Sequence, residues 1–180
     1  MSRSLLETFL RKTTVYRGQA VDFCVDTVRL PNGHKARREY LSHPGAVAAI
    51  PFLDSDTLVL VRQYRHPVRE VTYEIPAGKL GLGESILPCL RRELQEETGF
   101  KARRIRHLTS YWPTPAFSDE LLHIYIADRL IPGTFAPDED EFLEVARVPL
   151  RRALDWVFSG KIRDSKTVIA LLAYAVQYRK

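Results

Sequence analysis

The sequence predicts an α/β (α+β) layered domain with a mixed β-sheet, preceded by an N-terminal region of antiparallel strands. Short β-branched segments, each bounded by turn residues, fill the first third of the chain. A single helical pattern follows, another strand comes after it, and helical periodicity returns near the C-terminus. The length of 180 residues suits one domain, or one domain with an accessory segment.

The N-terminal strand region is assigned to residues 1–42. Within it, residues 13–30 have strand composition, and Pro31-Asn32-Gly33 is a turn signal. Residues 36–41 are then expected to return as the partner strand of a hairpin. A soft boundary follows this hairpin, so the main domain is assigned to residues 43–180.

The main domain begins with short apolar segments that are typical of buried strands. A helix is expected where Leu87, Leu90 and Leu94 form one apolar stripe, and a second helix where apolar residues recur near the C-terminus. The predicted strands are residues 46–52, 57–61 and 121–127, and the predicted helices are residues 85–99, 153–158 and 165–178.

The overall charge limits the function only weakly. The chain carries a formal net charge of +5, with 45% apolar and 27% charged residues, which is ordinary for a globular protein. This balance is compatible with nucleic acid, acidic lipid or a small phosphorylated ligand, and does not choose among them. Four pairs of adjacent arginines are scattered along the chain, and a solvated surface is the simpler explanation for most of them.

Cysteine usage and the apolar segments indicate a cellular location. Cys24 and Cys89 lack metal-ligand spacing, which favours free thiols in a reducing compartment, although a single disulfide between them is possible in principle. We find no apolar signal core at the N-terminus and no apolar run long enough to span a bilayer. We therefore expect a cytoplasmic protein.

The predicted central helix concentrates acidic residues in a basic chain. Ser85 and Gly99 are its predicted N-cap and C-terminal residues. Glu93 and Glu97 are four positions apart and project from one face, where like charges destabilise a helix. One explanation is a solvated face with an Arg92–Glu96 pair. The other is a site for a hard divalent cation such as Mg²⁺, which prefers carboxylate oxygens.

The residues around this helix carry a family resemblance. Gly78, Glu84 and the run Arg92–Phe100 match the Nudix box, G-x5-E-x7-R-E-U-x-E-E-x-G-U, at nine defined positions. The chain therefore resembles the Nudix hydrolases. The resemblance implies a mixed sheet sandwiched between helices (α/β/α), and hydrolysis of a nucleoside diphosphate linked to another group.

The resemblance also implies a metal site that uses Mg²⁺ or Mn²⁺ as cofactor. By matching position, Glu93 and Glu97 are the main ligands, Glu96 is a further ligand, and the Ala77 carbonyl joins them. Arg92 and Glu84 are expected to brace the preceding loop against the helix.

Further segments resemble the ADP-ribose pyrophosphatase branch of the family. Pro115 lies sixteen positions after Gly99, near a diagnostic proline of that branch, although Pro113 makes the register uncertain and a plain loop proline is an alternative. The branch carries a catalytic glutamate in a later acidic loop, which by alignment is Glu141 first and Glu139 second. Glu96 is the remaining catalytic candidate. The matching segments are residues 43–47, 60–65, 74–78, 117–120 and 160–162.

The branch resemblance implies hydrolysis of ADP-ribose to AMP and ribose 5-phosphate. Arg65 is expected to pair with phosphate oxygens, since guanidinium matches phosphate bidentately. Arg38 is a weaker candidate for substrate binding, and Glu74 is expected to accept hydrogen bonds from an adenine amino group or a ribose hydroxyl. A structural ion pair is the alternative for each of these residues. Members of this branch are usually homodimers joined through their N-terminal strands, and Arg38 would then serve the neighbouring subunit.

Three other functions stay open at this point. The first is Nudix hydrolysis of another nucleotide, such as a nucleotide sugar, a dinucleoside polyphosphate or a capped RNA end. Nucleic acid is disfavoured because no stripe of aromatic and basic residues suits single-stranded bases. The second is a nucleotide-sensing module, which often loses box residues, whereas this box is complete. The third is a purely structural role, which leaves the three helix glutamates without a reason.

Overall fold

The computed structural model of the chain describes residues 5–178. These residues divide into two compact units. The N-terminal unit contains the described residues up to Gly45 together with Trp112–Leu121, and the second unit contains Ala46–Tyr111 and the residues from Leu122 onward. None of the helices within residues 5–178 is long and apolar enough to cross a membrane.

Strands dominate both units, and the helices all belong to the second. Within the described residues the strands are β1 (Thr8–Arg17), β2 (Asp22–Arg29), β3 (Lys35–Ser42), β4 (Ala46–Pro51), β5 (Thr57–Arg65), β6 (Glu70–Glu74), β7 (Ala77–Lys79), β8 (Phe100–Tyr111), β9 (Leu122–Pro132) and β10 (Glu144–Pro149). The helices are α1 (Ile86–Thr98), α2 (Leu150–Phe158) and α3 (Ser165–Tyr178).

The N-terminal unit is an antiparallel sheet with the order β1-β2-β3. The predicted hairpin between β2 and β3 is confirmed, and Gly33 sits in its turn with a φ of 89°, which glycine adopts without strain. The segment of residues 112–121 is attached to β3, because the amide N–H of Leu41 donates to the Phe117 carbonyl over 2.9 Å. The Asp119 carboxylate also accepts the backbone N–H of His43 at 2.7 Å.

The second unit contains the predicted mixed sheet. Its order is β7-β4-β9-β8, and β4 pairs in parallel with β9 while the other pairs are antiparallel. All six residues of β4 are buried, as expected for a central strand that is covered on both faces. Strands β10, β5 and β6 form a separate antiparallel sheet of three strands.

Helices cover this sheet from two sides, which confirms the predicted α/β/α arrangement. On one face, Leu90 and Leu94 of α1 pack in a cluster with Val47 and Ala49 of β4. The other face of β4 belongs to a larger core, which Ile50 shares with the second sheet and with both C-terminal helices. The alternation along β4 thus sends successive side chains into different clusters.

Helix α1 begins and ends where the sequence predicts. Gly99 ends it with a φ of 73°, and its N–H donates to the Gln95 carbonyl over 2.8 Å. Ser85 occupies the N-cap position, but its side chain makes no capping hydrogen bond. The predicted apolar stripe is shorter than expected, because Leu87 is 46% exposed while Leu90 and Leu94 are almost fully buried.

Several strands escaped prediction from the sequence. The longest of these, β8, carries three arginines and one histidine, and Ala102 is its one buried residue. Its apolar signal is therefore weak, and its pairing with β9 gives it strand structure. The other strands not predicted are β6, β7 and β10.

A buried carboxylate ties two strands of the smaller sheet to α3. Glu74 at the end of β6 is 1% exposed. Arg65 of β5 donates to it through Nε at 2.8 Å and Nη2 at 2.7 Å, and the Thr72 hydroxyl donates over 2.6 Å. Lys166 of α3 also donates to Glu74. Burial by itself would raise the pKa of Glu74, but the donors and charges of Arg65 and Lys166 outweigh it and lower the pKa to about 2.

The Glu74→Gln variant should test this stabilisation through its pH dependence. The folded-state pKa of about 2 lies below the ordinary value of 4.5, so the carboxylate stabilises the fold above pH 4.5 and loses this effect as the pH falls toward 2. The shift corresponds to an upper value of about 3 kcal/mol. Urea unfolding at neutral pH should therefore show a large loss for Glu74→Gln, and the difference from the unmodified protein should shrink on acidification.

The exposed residue Glu39 gives a matched control. Glu39→Gln makes the same chemical change on β3 and should alter the free energy of unfolding by less than about 0.5 kcal/mol. A difference for Glu74→Gln that stays constant from neutral to acidic pH would contradict the assigned ionisation.

Candidate active site

The short strand β7 brings the backbone of the box directly against helix α1. A Cβ atom at Gly78 would lie only 1.9 Å from the carboxyl carbon of Glu93, so no other residue fits there without displacing that side chain. One residue earlier, the backbone N–H of Ala77 donates to Oε2 of Glu97 over 3.1 Å. The glycine therefore allows two helix glutamates to meet the strand that precedes them.

Arg92 connects the glycine-rich loop before α1 to the helix itself. Its guanidinium donates to both oxygens of Glu84 over 3.1 Å each, and it also lies 2.8 Å from Glu93 and 2.9 Å from Glu96. Glu84 additionally accepts the backbone N–H of Gly81 at 2.9 Å. The hydrogen bonds from Arg92 and then from Gly81 lower the pKa of Glu84 to about 2. Arg92 and Glu84 thus join the glycine-rich loop to α1.

Glu97 is a buried carboxylate with little compensation. It is 3% exposed, and its one hydrogen bond within the described residues comes from Ala77. Burial is the main reason that the pKa of Glu97 rises to about 8, and the negative charges of Glu93 and Glu141 contribute while the Ala77 N–H opposes them. Burial likewise raises the pKa of Glu93, against the effect of Arg92. The positive charge of Lys166 also acts on Glu97, but it does not offset the effect of burial.

The acidic loop after β9 is fastened to the end of α1. Gly133 donates its N–H to the Gly99 carbonyl at 2.8 Å, and Ala136 donates to the Glu96 carbonyl at 3.1 Å. The negative charge of Glu141 acts on both Glu93 and Glu97. Glu139 is exposed and is not among the charges that act most strongly on either of them.

The oxygen donors here suit a hard divalent cation. Within residues 5–178, no three side chains of His, Cys, Asp or Glu already converge around a common point, and Arg92 lies against Glu93 and Glu96 instead. Even so, the chemistry of the donors fits Mg²⁺ or Mn²⁺, because Glu93 and Glu97 offer carboxylate oxygens beside the backbone of Gly78 and Ala77.

Arg65 lies at the wall of a cleft with a volume of about 430 Å³. Its Nε and Nη2 atoms are bound to Glu74, and the remaining terminal nitrogen, Nη1, takes no part in these two bonds. Arg65 interacts electrostatically with the carboxylates of Glu97 and Glu141. Arg65 lines this cleft together with Pro67, Val68 and Glu74.

The two other predicted substrate residues have different surroundings. Both oxygens of Glu74 are filled by Arg65, Thr72 and Lys166. A substrate amino or hydroxyl group would therefore compete with these protein donors for Glu74, which lines the same cleft as Arg65. Arg38 of β3 forms an exposed ion pair with Glu7 inside the N-terminal unit.

Two residues near Arg65 escaped the sequence analysis. Lys166 and Asp164 contact each other at 3.1 Å, and Lys166 also contacts Glu74. A lysine in the first turn of an otherwise apolar helix was the available signal, but nothing in the local sequence points to Glu74, which is 92 positions away.

The two cysteines, Cys24 and Cys89, are free and buried. The Sγ atom of Cys89 accepts a hydrogen bond from Nη2 of Arg92 at 3.5 Å, and the disulfide considered from the sequence is excluded because both thiols are free. Burial raises the pKa of Cys89 to about 12, so its thiol stays protonated and unreactive near neutral pH.

Comparison with known proteins agrees with this geometry. An ADP-ribose pyrophosphatase of Bacillus subtilis (strain 168) is 40% identical over 178 residues, which cover 98% of this chain and 94% of that protein. A methanol dehydrogenase activator of Bacillus methanolicus is also 40% identical, over 95% of this chain and 94% of its own length. The crystal structure of an ADP compounds hydrolase superposes with a TM-score of 0.85 at 27% identity, covering 99% of this chain and 100% of that one.

The family model of the NUDIX domain matches residues 42–170. This span includes Arg65 and the acidic residues Glu93, Glu96, Glu97 and Glu141. The match extends over most of the chain, and it agrees with the resemblance noted in the box. The chain belongs to the NUDIX domain family.

Proposed function

We propose that this protein hydrolyses the pyrophosphate bond of ADP-ribose, with Mg²⁺ or Mn²⁺, to AMP and ribose 5-phosphate. The observation that carries the proposal is the arrangement of Glu93, Glu97 and Glu141 beside Arg65. It provides oxygen ligands for a cation, a carboxylate base and a cationic partner for phosphate. The similarity to an ADP-ribose pyrophosphatase over nearly the whole chain supports this substrate.

Glu93, Glu97 and the Ala77 carbonyl would hold the cation, with Glu96 as a further ligand once it separates from Arg92. The bound ion supplies charge neutralisation for the pyrophosphate and a lower pKa for the attacking water. Arg92 keeps the glycine-rich loop against α1 through Glu84, so the ligands from the loop and the helix stay in register.

Glu141 is the proposed general base. It takes one proton from water while the water oxygen attacks phosphorus, and the bond between phosphorus and the bridging oxygen breaks as AMP and ribose 5-phosphate separate. Burial and the neighbouring acidic residues raise the pKa of Glu141, which brings its proton affinity closer to that needed near neutral pH. Arg65 binds phosphate oxygens through Nη1, the terminal nitrogen that does not bond Glu74.

The substrate is tested directly by incubating the purified protein with a panel of nucleotides. The panel contains ADP-ribose, several nucleotide sugars, a dinucleoside polyphosphate and a capped RNA, each with Mg²⁺ and with chelator. Metal-dependent formation of AMP and ribose 5-phosphate, well ahead of the other products, supports the proposal. Preferred cleavage of another compound overturns the substrate, and binding without cleavage favours a nucleotide-sensing module.

We also propose that the protein is a homodimer joined through β1. This strand is an edge of the N-terminal sheet, and its apolar side chains are open, with Phe9, Val15 and Tyr16 each more than half exposed. An exposed apolar edge is a surface that proteins normally cover. Arg38 of the same sheet would then lie near a neighbouring subunit. The two free thiols are consistent with a cytoplasmic location.

Glu97→Gln should lower kcat by at least about a hundredfold, because it removes a charged ligand while keeping the shape of the side chain. Steady-state kinetics across a Mg²⁺ titration will measure the loss. Asp155→Asn on the exposed side of α2 is the control and should retain full activity. Near-normal turnover by Glu97→Gln in a folded protein would remove Glu97 from the metal site.

Glu141→Gln and Glu139→Gln form a matched pair that identifies the base. Glu141→Gln should lower kcat by about a hundredfold or more with little change in KM, as expected when a general base is lost. Glu139→Gln should stay within about threefold of the unmodified enzyme, because its side chain is exposed. The opposite pattern would assign the base to Glu139.

Val15→Glu should weaken the dimer, because it places a charge on the 58% exposed apolar edge of β1. Sedimentation equilibrium should show a dissociation constant at least about tenfold higher. Val176→Glu near the end of α3, where the side chain is 83% exposed, is the control and should leave the dimer unchanged. A monomeric unmodified protein, or equal behaviour of both variants, would contradict the proposed interface.

A further inference from the structure

We propose that Lys166 is a positioning residue, which holds Arg65 ready for the substrate pyrophosphate through the buried carboxylate of Glu74. This inference rests on the proposed function, since it assigns a role in that same site. Lys166 is not part of the Nudix box, and it lies far from the carboxylates of α1 in the sequence.

Lys166 is well placed to act on Glu74 and poorly placed to act on substrate. Its side chain is 13% exposed. Its ammonium donates to Glu74 and, over 3.1 Å, to Oδ1 of Asp164. With two of its three N–H groups directed at carboxylates inside the protein, the lysine is a structural partner rather than an open phosphate ligand.

A second set of hydrogen bonds fixes Asp164, which is the other carboxylate partner of Lys166. Oδ2 of Asp164 accepts the backbone N–H of Thr167 at 3.0 Å and its hydroxyl at 2.6 Å. The same hydroxyl oxygen accepts the backbone N–H of Ile75 at 2.9 Å. The start of α3 is therefore fastened to the residue that follows Glu74, which leaves Lys166 little freedom to move away.

Glu74 in turn restricts the orientation of the Arg65 side chain. The carboxylate binds Nε and Nη2 of Arg65 together, and this bidentate contact fixes the plane of the guanidinium. Nη1 then stands on the side away from Glu74, and Arg65 lines the cleft. A guanidinium in a fixed plane binds phosphate oxygens at a lower cost in conformational entropy than a mobile one.

Charge balance gives Lys166 a second effect. Glu74 and Asp164 carry two negative charges, and Arg65 and Lys166 carry two positive charges, so the group is neutral. Loss of Lys166 would leave one uncompensated negative charge close to the arginine. The attraction of Arg65 for an anionic substrate would then be weaker, because a buried charge is screened only slightly.

The test compares Lys166→Met and Lys166→Arg by steady-state kinetics with ADP-ribose at saturating Mg²⁺. Lys166→Met should raise KM by about tenfold or more, the effect of weakening one charge-assisted hydrogen bond, while kcat stays within about threefold. Lys166→Arg keeps the charge and should recover part of the change in KM. Lys101→Met, on the exposed part of β8, is the matched control and should leave KM unchanged.

A double-mutant cycle separates positioning from a general structural effect. If Lys166 acts through Arg65, then adding Lys166→Met to Arg65→Ala should produce no further rise in KM. A merely structural lysine would raise KM by the same factor in both backgrounds. Lys166→Gln, which keeps a donor for Glu74, takes the place of Lys166→Met in the cycle if the methionine variant does not fold.

The results also distinguish this inference from the proposed function. An unchanged KM in a folded Lys166→Met protein, or a fall in kcat alone, would overturn the role of Lys166 and leave the hydrolase assignment intact. If the unmodified protein cleaves another nucleotide in preference to ADP-ribose, the substrate proposal has failed, and the same variants are compared with that nucleotide. A rise in KM that depends on Arg65 would then still support the positioning role.

Discussion

The second unit depends on the cost of burying two carboxylates, Glu74 and Glu97. A buried charge is unfavourable unless hydrogen bonds and opposite charges compensate for it. Glu74 has full compensation from Arg65, Thr72 and Lys166, and its pKa falls to about 2. Glu97 has one backbone donor and two acidic neighbours, and its pKa rises to about 8. The first carboxylate stabilises the fold, and the second is the one that we propose to bind a cation.

The architecture explains how these two carboxylates come to face the same region. Gly78 lets β7 approach Glu93 closely enough that the backbone before it can bond Glu97. Arg92 then fastens the intervening loop to α1 through Glu84. On the other side, β5, β6 and α3 meet at Glu74. Arg65 connects the surroundings of Glu74 and Glu97, because it is hydrogen-bonded to Glu74 and interacts electrostatically with Glu97.

The proposed chemistry depends on compensating the negative charge of the substrate and of the acidic residues around it. Pyrophosphate is strongly anionic, so the site must offer positive charge without being neutralised by its own acidic residues. We propose that a divalent cation meets this need at Glu93 and Glu97. Arg65 would contribute further positive charge only if the charge of Glu74 is shared with another cation, and Lys166 bonds to the same carboxylate.

The sequence by itself determined the family, the layered fold and the helix that carries Glu93, Glu96 and Glu97. This was possible because the box is local: nine positions at fixed spacing lie on one loop and one helix, where geometry follows directly from residue number. The buried run of β4 and the end of α1 at Gly99 followed from equally local signals. The polar strand β8 did not, because its structure comes from pairing with β9.

Only the tertiary structure decided how the remaining charged residues are divided between fold and site. It filled both oxygens of Glu74 with protein donors, brought Lys166 to it across 92 positions, and let the negative charge of Glu141 act on Glu97. Such contacts join residues from different strands, loops and helices. Their energies depend on burial and distance in three dimensions, and neither quantity can be obtained from spacing along the chain.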